Sequence, residues 1–341
     1  MDGLWALYEG WDDLADRVGA PPWYRPGWFR AWWNAFGSGE PKLLVVRRAG
    51  RLAAVLPVER CGAVLRSTSN DESPSFGFLA EDADAARELA SLVFQGPDRR
   101  ISLFLLPAEA LEVCRSAAEE AGFRSLVRTV GRSPFVDLGG TWARYEEGLH
   151  SKLLREMRRR KRRLEEEGLL SFEVEDGTEG RDTLLTEGFQ VEGAGWKTER
   201  GSSIISRPSA ERFYRDIAEW ATARGELRLA FLRLDGRPIA FDLSLEDGRS
   251  HYLLKTGYHP GFSKFGPGML IRRYMIARSF TLGLGTYEFL GHDDAWKYEW
   301  TDTFRDRYLL RAFAPSLTGF LDWSAFAYVA PVKRALEERT R

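Results

Sequence analysis

The chain has 341 residues, more than one average domain, so two domains are expected; 44% hydrophobic and 13% aromatic residues supply cores and argue against disorder. A net charge of −1 excludes bulk attraction to nucleic acid, Cys61 and Cys114 build neither a disulfide framework nor a metal site, and four histidines argue against a histidine-rich centre. The N-terminus is acidic, and no apolar run approaches the ~18 residues of a membrane span, so the sequence reads as a cytoplasmic, soluble, metal-free protein.

In chain order, the first third alternates helices and strands. The run RPGWFRAWWNAFG carries aromatics at helical spacing and stops at Gly37, which places Trp28, Phe29, Trp32, Trp33 and Phe36 in a core. KLLVVRRAGRLAAVLPVER is a hairpin signature around Ala49-Gly50. A helix fits DAARELASLVF, a buried strand ISLFLLP and a further helix EALEVCRSAAEEAGF, with SPFVDLGG closing the unit.

The second part opens on HSKLLREMRRRKRRLEEEGLL, a helix with Leu149, Leu153, Met157 and Leu164 on one face and Gly168 as its stop. Two more helices fit 180–200 and 208–224. Three strands then run through 227–258, joined by the hairpin turns Asp235-Gly236 and Asp247-Gly248. A helix from Pro267 to Leu282, the strand TYEFLG, a short aromatic segment and the strand RYLLRAFAP follow. The plan is a first domain over 1–140, a second over 141–315 and a helical tail over 316–341.

The two domains share a frame. Arg47, Gly50, Arg51 and Ala54 recur as Arg233, Gly236, Arg237 and Ala240 in hairpins a domain length apart. A duplicated α/β domain accounts for this; convergent hairpin chemistry is the alternative.

Between Arg249 and Tyr287 there is no Asp or Glu, while Arg249, Lys255, Lys264, Arg272, Arg273 and Arg278 all lie there. The centre of this run, KTGYHPGFSKFGPGMLI, reads as a strand, a glycine loop and a helix with Pro267 in its first turn. Such a helix start presents unpaired N–H groups and about half a positive charge, and glycines let a pyrophosphate approach the backbone. The alternative is that Gly266 and Gly268 only shape a tight turn.

The order of three antiparallel strands, glycine loop, helix, strand, short helix and final strand resembles the GNAT acyltransferase core. The pyrophosphate motif of that family, Arg/Gln-x-x-Gly-x-Gly/Ala, is matched by SKFGPG at Gly266 and Gly268, with Ser263 where Arg or Gln is usual. The stretches SPFVDL, SKLLREMRRRKRRLEEEG, DGRPIAFDLSL, YLLKTGYHPGFSKFGPGMLI and FLGHDDAWKYEW, with WFRAWWNAFG and LAAVLPVER, resemble the GNAT branch associated with cellulose biosynthesis. Duplication also resembles the Fem-like transferases, which take aminoacyl groups from tRNA. The resemblance implies a mixed α/β fold of two tandem GNAT-like domains, with acetyl-CoA or another acyl-CoA bound by the second. VLRSTSNDESPSFGFLA in the first has no Gly-x-Gly loop.

In this superfamily an amine attacks the thioester directly, so the site accepts the amine proton, polarises the carbonyl and protonates the thiolate. By position, Thr256, Gly257 and Tyr258 lie at the acyl group, and Ser263, Lys264, Gly266, Gly268 and Met269 hold the cofactor. Candidate bases are Asp242, mid-strand in IAFDLSL, Glu288 and His292; Asp293 or Asp294 suits a helix N-cap. Family analogy makes Tyr298 the acid for the thiolate and Lys297 a stabiliser of the oxyanion. Glu192, Trp196, Lys197 and Lys255 are expected to wall the acceptor pocket. In each case ordinary packing or a surface charge is the competing explanation.

Eight positive residues stand against Glu156 alone between Lys152 and Arg163. Lys152, Arg155, Arg158, Arg159 and Arg162 are candidates for a polyanion contact, against the reading of a solvated face partly neutralised by Glu165, Glu166 and Glu167. Three functions compete: acyl-CoA-dependent N-acyltransferase on a small-molecule or saccharide amine, aminoacyl-tRNA-dependent transferase, and non-catalytic binding protein on a GNAT fold.

Overall fold

The computed structural model describes residues 7–194 and 203–329. It divides into two compact units, Met1–Gly131 with Asp306–Arg341, and Arg132–Arg305.

The first unit begins with α1 (Tyr8–Val18) and α2 (Pro26–Phe36), where Trp28, Phe29 and Trp32 are buried and Phe29 meets Trp11. Its strands are β1 (Glu40–Arg48), β2 (Arg51–Cys61), β3 (Val64–Ser67), the short β4 (Leu79–Ala80) and β5 (Arg100–Leu106), with helices α3 (Ala83–Phe94) and α4 (Ala108–Glu120). β1–β2 and β2–β3 pair antiparallel and β3–β5 parallel; the core gathers Leu56, Leu89, Ile101, Leu103 and Cys114.

The second unit is entered along β6 (Arg124–Asp137) and contains α5 (Trp142–Gly148), α6 (Ser151–Glu165), β7 (Leu170–Glu175), α7 (Arg181–Gly193), α8 (Pro208–Ala223), β8 (Leu227–Leu234), β9 (Arg237–Glu246), β10 (Ser250–Tyr258), α9 (Pro267–Thr281) and β11 (Thr286–Glu288). Its sheet runs β6-β11-β10-β9-β8-β7, antiparallel except for the parallel pair β10–β11. β9 alternates, Phe241, Leu243 and Leu245 against Ala240, Asp242 and Ser244, yet both sets are buried because helices cover both faces of the sheet. Helix α9 covers one face of this sheet; α7 and α8 cover the other, where Phe189, Phe231 and Phe241 meet. The strand β7 is an addition to the sequence reading; its side chains are only half-buried, so LSFEVE carries a weak hydrophobic signal.

The last strand, β12 (Phe304–Phe313), was expected to close the second domain. It pairs antiparallel with β5, and Leu310 and Ala312 enter the core of the first unit. Helix α10 (Leu317–Ser324) and a wide turn over Ala325–Val329 follow it.

The repeat is three-dimensional as well as sequential. Both hairpins turn through two left-handed residues, Ala49-Gly50 and Asp235-Gly236, and each has one extra residue on its second strand, Ala53 and Ile239. In both, the Arg Nη1 preceding the turn donates to the glycine carbonyl, Arg47 to Gly50 at 3.1 Å and Arg233 to Gly236 at 3.2 Å. Each unit then places a helix between parallel strands, α3 between β3 and β5 and α9 between β10 and β11. The starts of those helices differ. Asp82 caps α3, its Oδ1 accepting from the Ala85 N–H at 2.8 Å, whereas α9 begins at left-handed Gly266 with no side-chain cap. A carboxylate occupies the first helix start, where an anion would otherwise sit.

Candidate active site

β10 and β11 pair only from Ser250↔Thr286 to Tyr252↔Glu288. β10 continues to Tyr258 with β9 alone, and it bulges between Leu253 and Lys255. Alternate N–H and C=O groups on that edge of residues 253–258 therefore have no strand partner. The strand feeds a 3₁₀ turn over Pro260–Phe265, then Gly266 with φ 59°, then α9. His259 fixes the turn by accepting the Gly261 N–H on Nδ1 at 3.1 Å, while Ser263 supplies a carbonyl to the Gly266 N–H at 3.0 Å. The Met269 N–H closes onto the Gly266 carbonyl at 3.0 Å.

Cations frame this loop from the basic helix α6. A Cβ on Gly266 would lie 2.7 Å from Nη1 of Arg160, so the guanidinium rests directly over the glycine. Arg163 and Lys264 both lie against the Phe265 ring, and Lys264 is 3.7 Å from Glu167. Gly268 faces the Tyr258 ring, whose Cδ1 would be 3.2 Å from an added Cβ. Along α6, the five residues singled out for a polyanion are all exposed; Arg159 pairs with Glu156 and Arg162 with Glu166, while Lys152, Arg155 and Arg158 have no acidic partner among the described residues.

Behind the loop, between the sheet and α9, lies a buried charge network. Arg272 of α9 and Asp242 of β9 are 1% and 0% exposed and joined by two bonds, Nη1–Oδ2 at 2.8 Å and Nη2–Oδ1 at 3.0 Å. Arg272 also donates to the Tyr287 hydroxyl and, at 3.1 Å, to Thr256 Oγ1. Asp242 thus serves as the counter-ion of Arg272 rather than as an available base. That a buried aspartate demands a positive or hydrogen-bonding partner was foreseeable; which residue supplies it was not. Below it, His251 stacks on Tyr287 and its Nδ1 is 3.0 Å from Glu246, which also receives Arg228 and Arg278. Burial opposes ionisation of Glu246, but its bond to His251 and the surrounding positive charges bring its pKa down to about 2. Burial holds the His251 imidazole below its ordinary value.

After β11 the chain turns through two left-handed residues, Leu290 with φ 50° and Gly291 with φ 59°. A leucine pays backbone strain there, and Lys297 holds it in place. The Lys297 ammonium, almost wholly buried, donates to the Leu290 carbonyl at 2.8 Å and to the His292 carbonyl, and lies 3.1 Å from Asp294. Its three donors are taken, so it clamps this turn and leaves none for an oxyanion. Asp294 precedes the 3₁₀ turn Ala295–Glu299 without capping it, because its carboxylate goes to Lys297. Tyr298 is half-buried; its hydroxyl makes no well-formed hydrogen bond, and Asp293 beside it raises its pKa. His292 is exposed, and Glu288 is buried with Oε1 3.0 Å from Arg305 Nη2.

On the opposite face of β10, Gly257 abuts Glu192. A Cβ on Gly257 would sit 2.4 Å from Glu192 Cα, so the strand and α7 touch backbone to backbone. Glu192 is buried and accepts the Ile204 N–H at 3.0 Å, while Lys255 lays its ammonium over the Tyr214 ring at 5.3 Å. Trp196 and Lys197 lie outside the described residues. Among the described residues no cluster of three His, Cys, Asp or Glu could hold a metal ion, and no helix is long and apolar enough to cross a membrane.

Residues 151–298 match the family model described as Acetyltransferase (GNAT) domain. The chain carries a GNAT domain in its second unit, and with it the chemistry of an acyltransferase. Among solved structures, FemX is 10% identical over 85% of this chain and 92% of its own, with a TM-score of 0.59. The C-terminal DUF2156 domain of an Agrobacterium fabrum protein, described as a lysylphosphatidylglycerol synthetase, is 16% identical over 92% and 95%, with a TM-score of 0.56. L-PGS from Bacillus licheniformis is 14% identical over 87% and 95%, with a TM-score of 0.53. At these identities the likeness is one of fold, and it spans both units of the acyltransferase. No curated protein matches the chain.

Three groups emerge from the residues expected in the site. Tyr258, Ser263, Lys264, Gly266, Gly268 and Met269 share the loop; Gly257 meets Glu192 of α7 and Lys255 meets α8; His292, Lys297 and Tyr298 share the turn after β11. Sequence reasoning missed Arg160 as a neighbour of the glycine loop. Its signal was present: Arg160 falls about a turn before Leu164 on the inner half of α6, not with the outermost arginines.

Proposed function

We propose that the acyltransferase moves an acyl group, acetyl among the candidates, from a coenzyme A thioester to an acceptor amine. The observation that carries this reading is the unpaired edge of β10 leading into the uncapped, glycine-opened start of α9. That loop takes the pyrophosphate on the Gly268 N–H and the positive end of α9, with Arg160 supplying the cation that Ser263 cannot. The open β10 edge receives the acyl carbonyl as an added partner and polarises it through a backbone N–H near Thr256–Tyr258.

The amine nitrogen forms the new bond to the carbonyl carbon and the C–S bond breaks. Glu288 or His292 takes the amine proton, and the Tyr298 hydroxyl gives its proton to the departing thiolate. Glu192 and Lys255 border the acceptor side, which suits a small amine or amino sugar; a hydroxyl acceptor would use the same geometry. The sequence likeness to the cellulose-biosynthesis branch supports a saccharide acceptor.

A test uses acetyl-CoA with a panel of amines and amino sugars, read by released thiol. Replacing Tyr298 with phenylalanine is expected to lower kcat about a hundredfold with the dissociation constant of acetyl-CoA unchanged. Equal turnover by native enzyme and variant would remove Tyr298 from the reaction. The second reading, an aminoacyl-tRNA donor, is favoured by the exposed Lys152, Arg155 and Arg158 and by the fold shared with FemX; its mark is aminoacyl transfer from charged tRNA with no response to acyl-CoA.

A further inference from the structure

Helix α10 carries its apolar side chains outward. Leu317 is 87% exposed, Phe320 45% and Leu321 66%, one turn apart on the same side of α10, and Tyr328, 66% exposed, follows in the wide turn after it. The inward side is the charged one: Asp322, the only charged residue between Leu317 and Tyr328, is turned to Arg99, with Oδ2 2.9 Å from Nε. Gly319 seats the helix tightly, since a Cβ there would lie 2.1 Å from the Ala314 carbonyl oxygen. Trp323 and Phe326 are half-buried beneath arginines, Arg124 over Trp323 at 5.2 Å, and Arg100 and Arg311 over Phe326 at 5.1 and 4.7 Å. The result is an apolar stripe rimmed by guanidinium groups, at the end of the first unit and independent of the transfer chemistry.

We propose that this stripe docks on an anionic phospholipid surface. Leucine and aromatic side chains enter the boundary between headgroups and acyl chains, and the arginines meet lipid phosphates. Charge decides the class of partner: Arg124 lies over Phe320 of the stripe at 5.2 Å, Arg100 and Arg311 lie over the neighbouring Phe326, and the one carboxylate between Leu317 and Tyr328 is paired with Arg99. Size argues against a second copy of the chain. From Leu317 to Tyr328, α10 and the wide turn after it give a stripe at most about 18 Å long and about 10 Å wide, on the order of 200 Å², against about 800 Å² per partner in a stable protein interface.

The experiment is cosedimentation with phosphatidylcholine vesicles made with and without phosphatidylglycerol, comparing native protein with Leu317→Ser/Leu321→Ser. Both leucines are exposed, so the variant keeps its fold, which circular dichroism verifies. The expected result is binding to the anionic vesicles alone, weakened at least tenfold in the variant and reduced in Arg124→Ala. Three results would overturn the proposal: no binding to either vesicle, equal binding to both, or a dimer in lipid-free sedimentation velocity that the leucine substitutions dissolve.

Discussion

Replacing Arg272 with alanine is expected to destabilise the second unit by about 3–5 kcal/mol, because it leaves the Asp242 carboxylate buried with no counter-charge. For a unit of this size that corresponds to a fall in Tm of roughly 6–20 °C. Asp242→Ala should do as much, through an orphaned guanidinium. The pair joins three strands to α9, since Arg272 also reaches Thr256 on β10 and Tyr287 on β11. The double replacement Asp242→Leu/Arg272→Met removes both charges with little change of volume and is expected to recover most of the loss. Its activity separates two roles for Asp242. A folded double variant that still releases thiol at near-native rate means a counter-ion; a folded double variant without turnover would restore Asp242 to the chemistry. Scanning calorimetry and the thiol assay on the same three proteins decide it.

Gly257→Ala is expected to lower both stability and turnover. The added Cβ would lie 2.4 Å from the Glu192 Cα and 3.0 Å from its Cβ, and backbone cannot step aside as a flexible side chain can. Overpacking of this kind costs about 1–3 kcal/mol. Relief requires α7 to move away from β10, which displaces Glu192 from the proposed acceptor side, so we expect KM for the amine to rise more than tenfold. Gly268→Ala is the control. Its Cβ meets only the exposed Tyr258 ring at 3.2 Å, and alanine favours the helix by about 0.5–1 kcal/mol, so Tm should hold or rise. Equal stability of Gly257→Ala and native protein would contradict the close contact of β10 with α7.

Much of the fold was legible because local chemistry dictated it. Asp235-Gly236 and Ala49-Gly50 marked their hairpins, and the shared Arg-x-x-Gly-Arg frame proved to encode the same bulge and the same arginine-to-carbonyl bond. The strand β12 was misassigned because RYLLRAFAP specifies a buried strand and says nothing about which sheet receives it. In the candidate site the glycine loop was readable, since left-handed Gly266 and the acid-free run are local properties. Pairings across the fold were not. Arg272 read as one more cation in a basic stretch, although its burial opposite Asp242 sets the interior of the sheet. Lys297 was read as chemistry by analogy with a lysine of the Fem-like transferases; the strained turn at Leu290 that it holds leaves no mark on the sequence.

The central claim is that the start of α9 binds the pyrophosphate of an acyl-CoA. Isothermal titration of acetyl-CoA into native protein and into Gly266→Val tests it most directly. Valine would need an unfavourable left-handed backbone and would push into Arg160, both at an exposed loop, so the fold should survive. Saturable binding to native protein and at least a hundredfold loss in the folded variant are expected. Absence of binding to native protein, or equal affinity in both, would contradict it and turn attention to charged tRNA along α6.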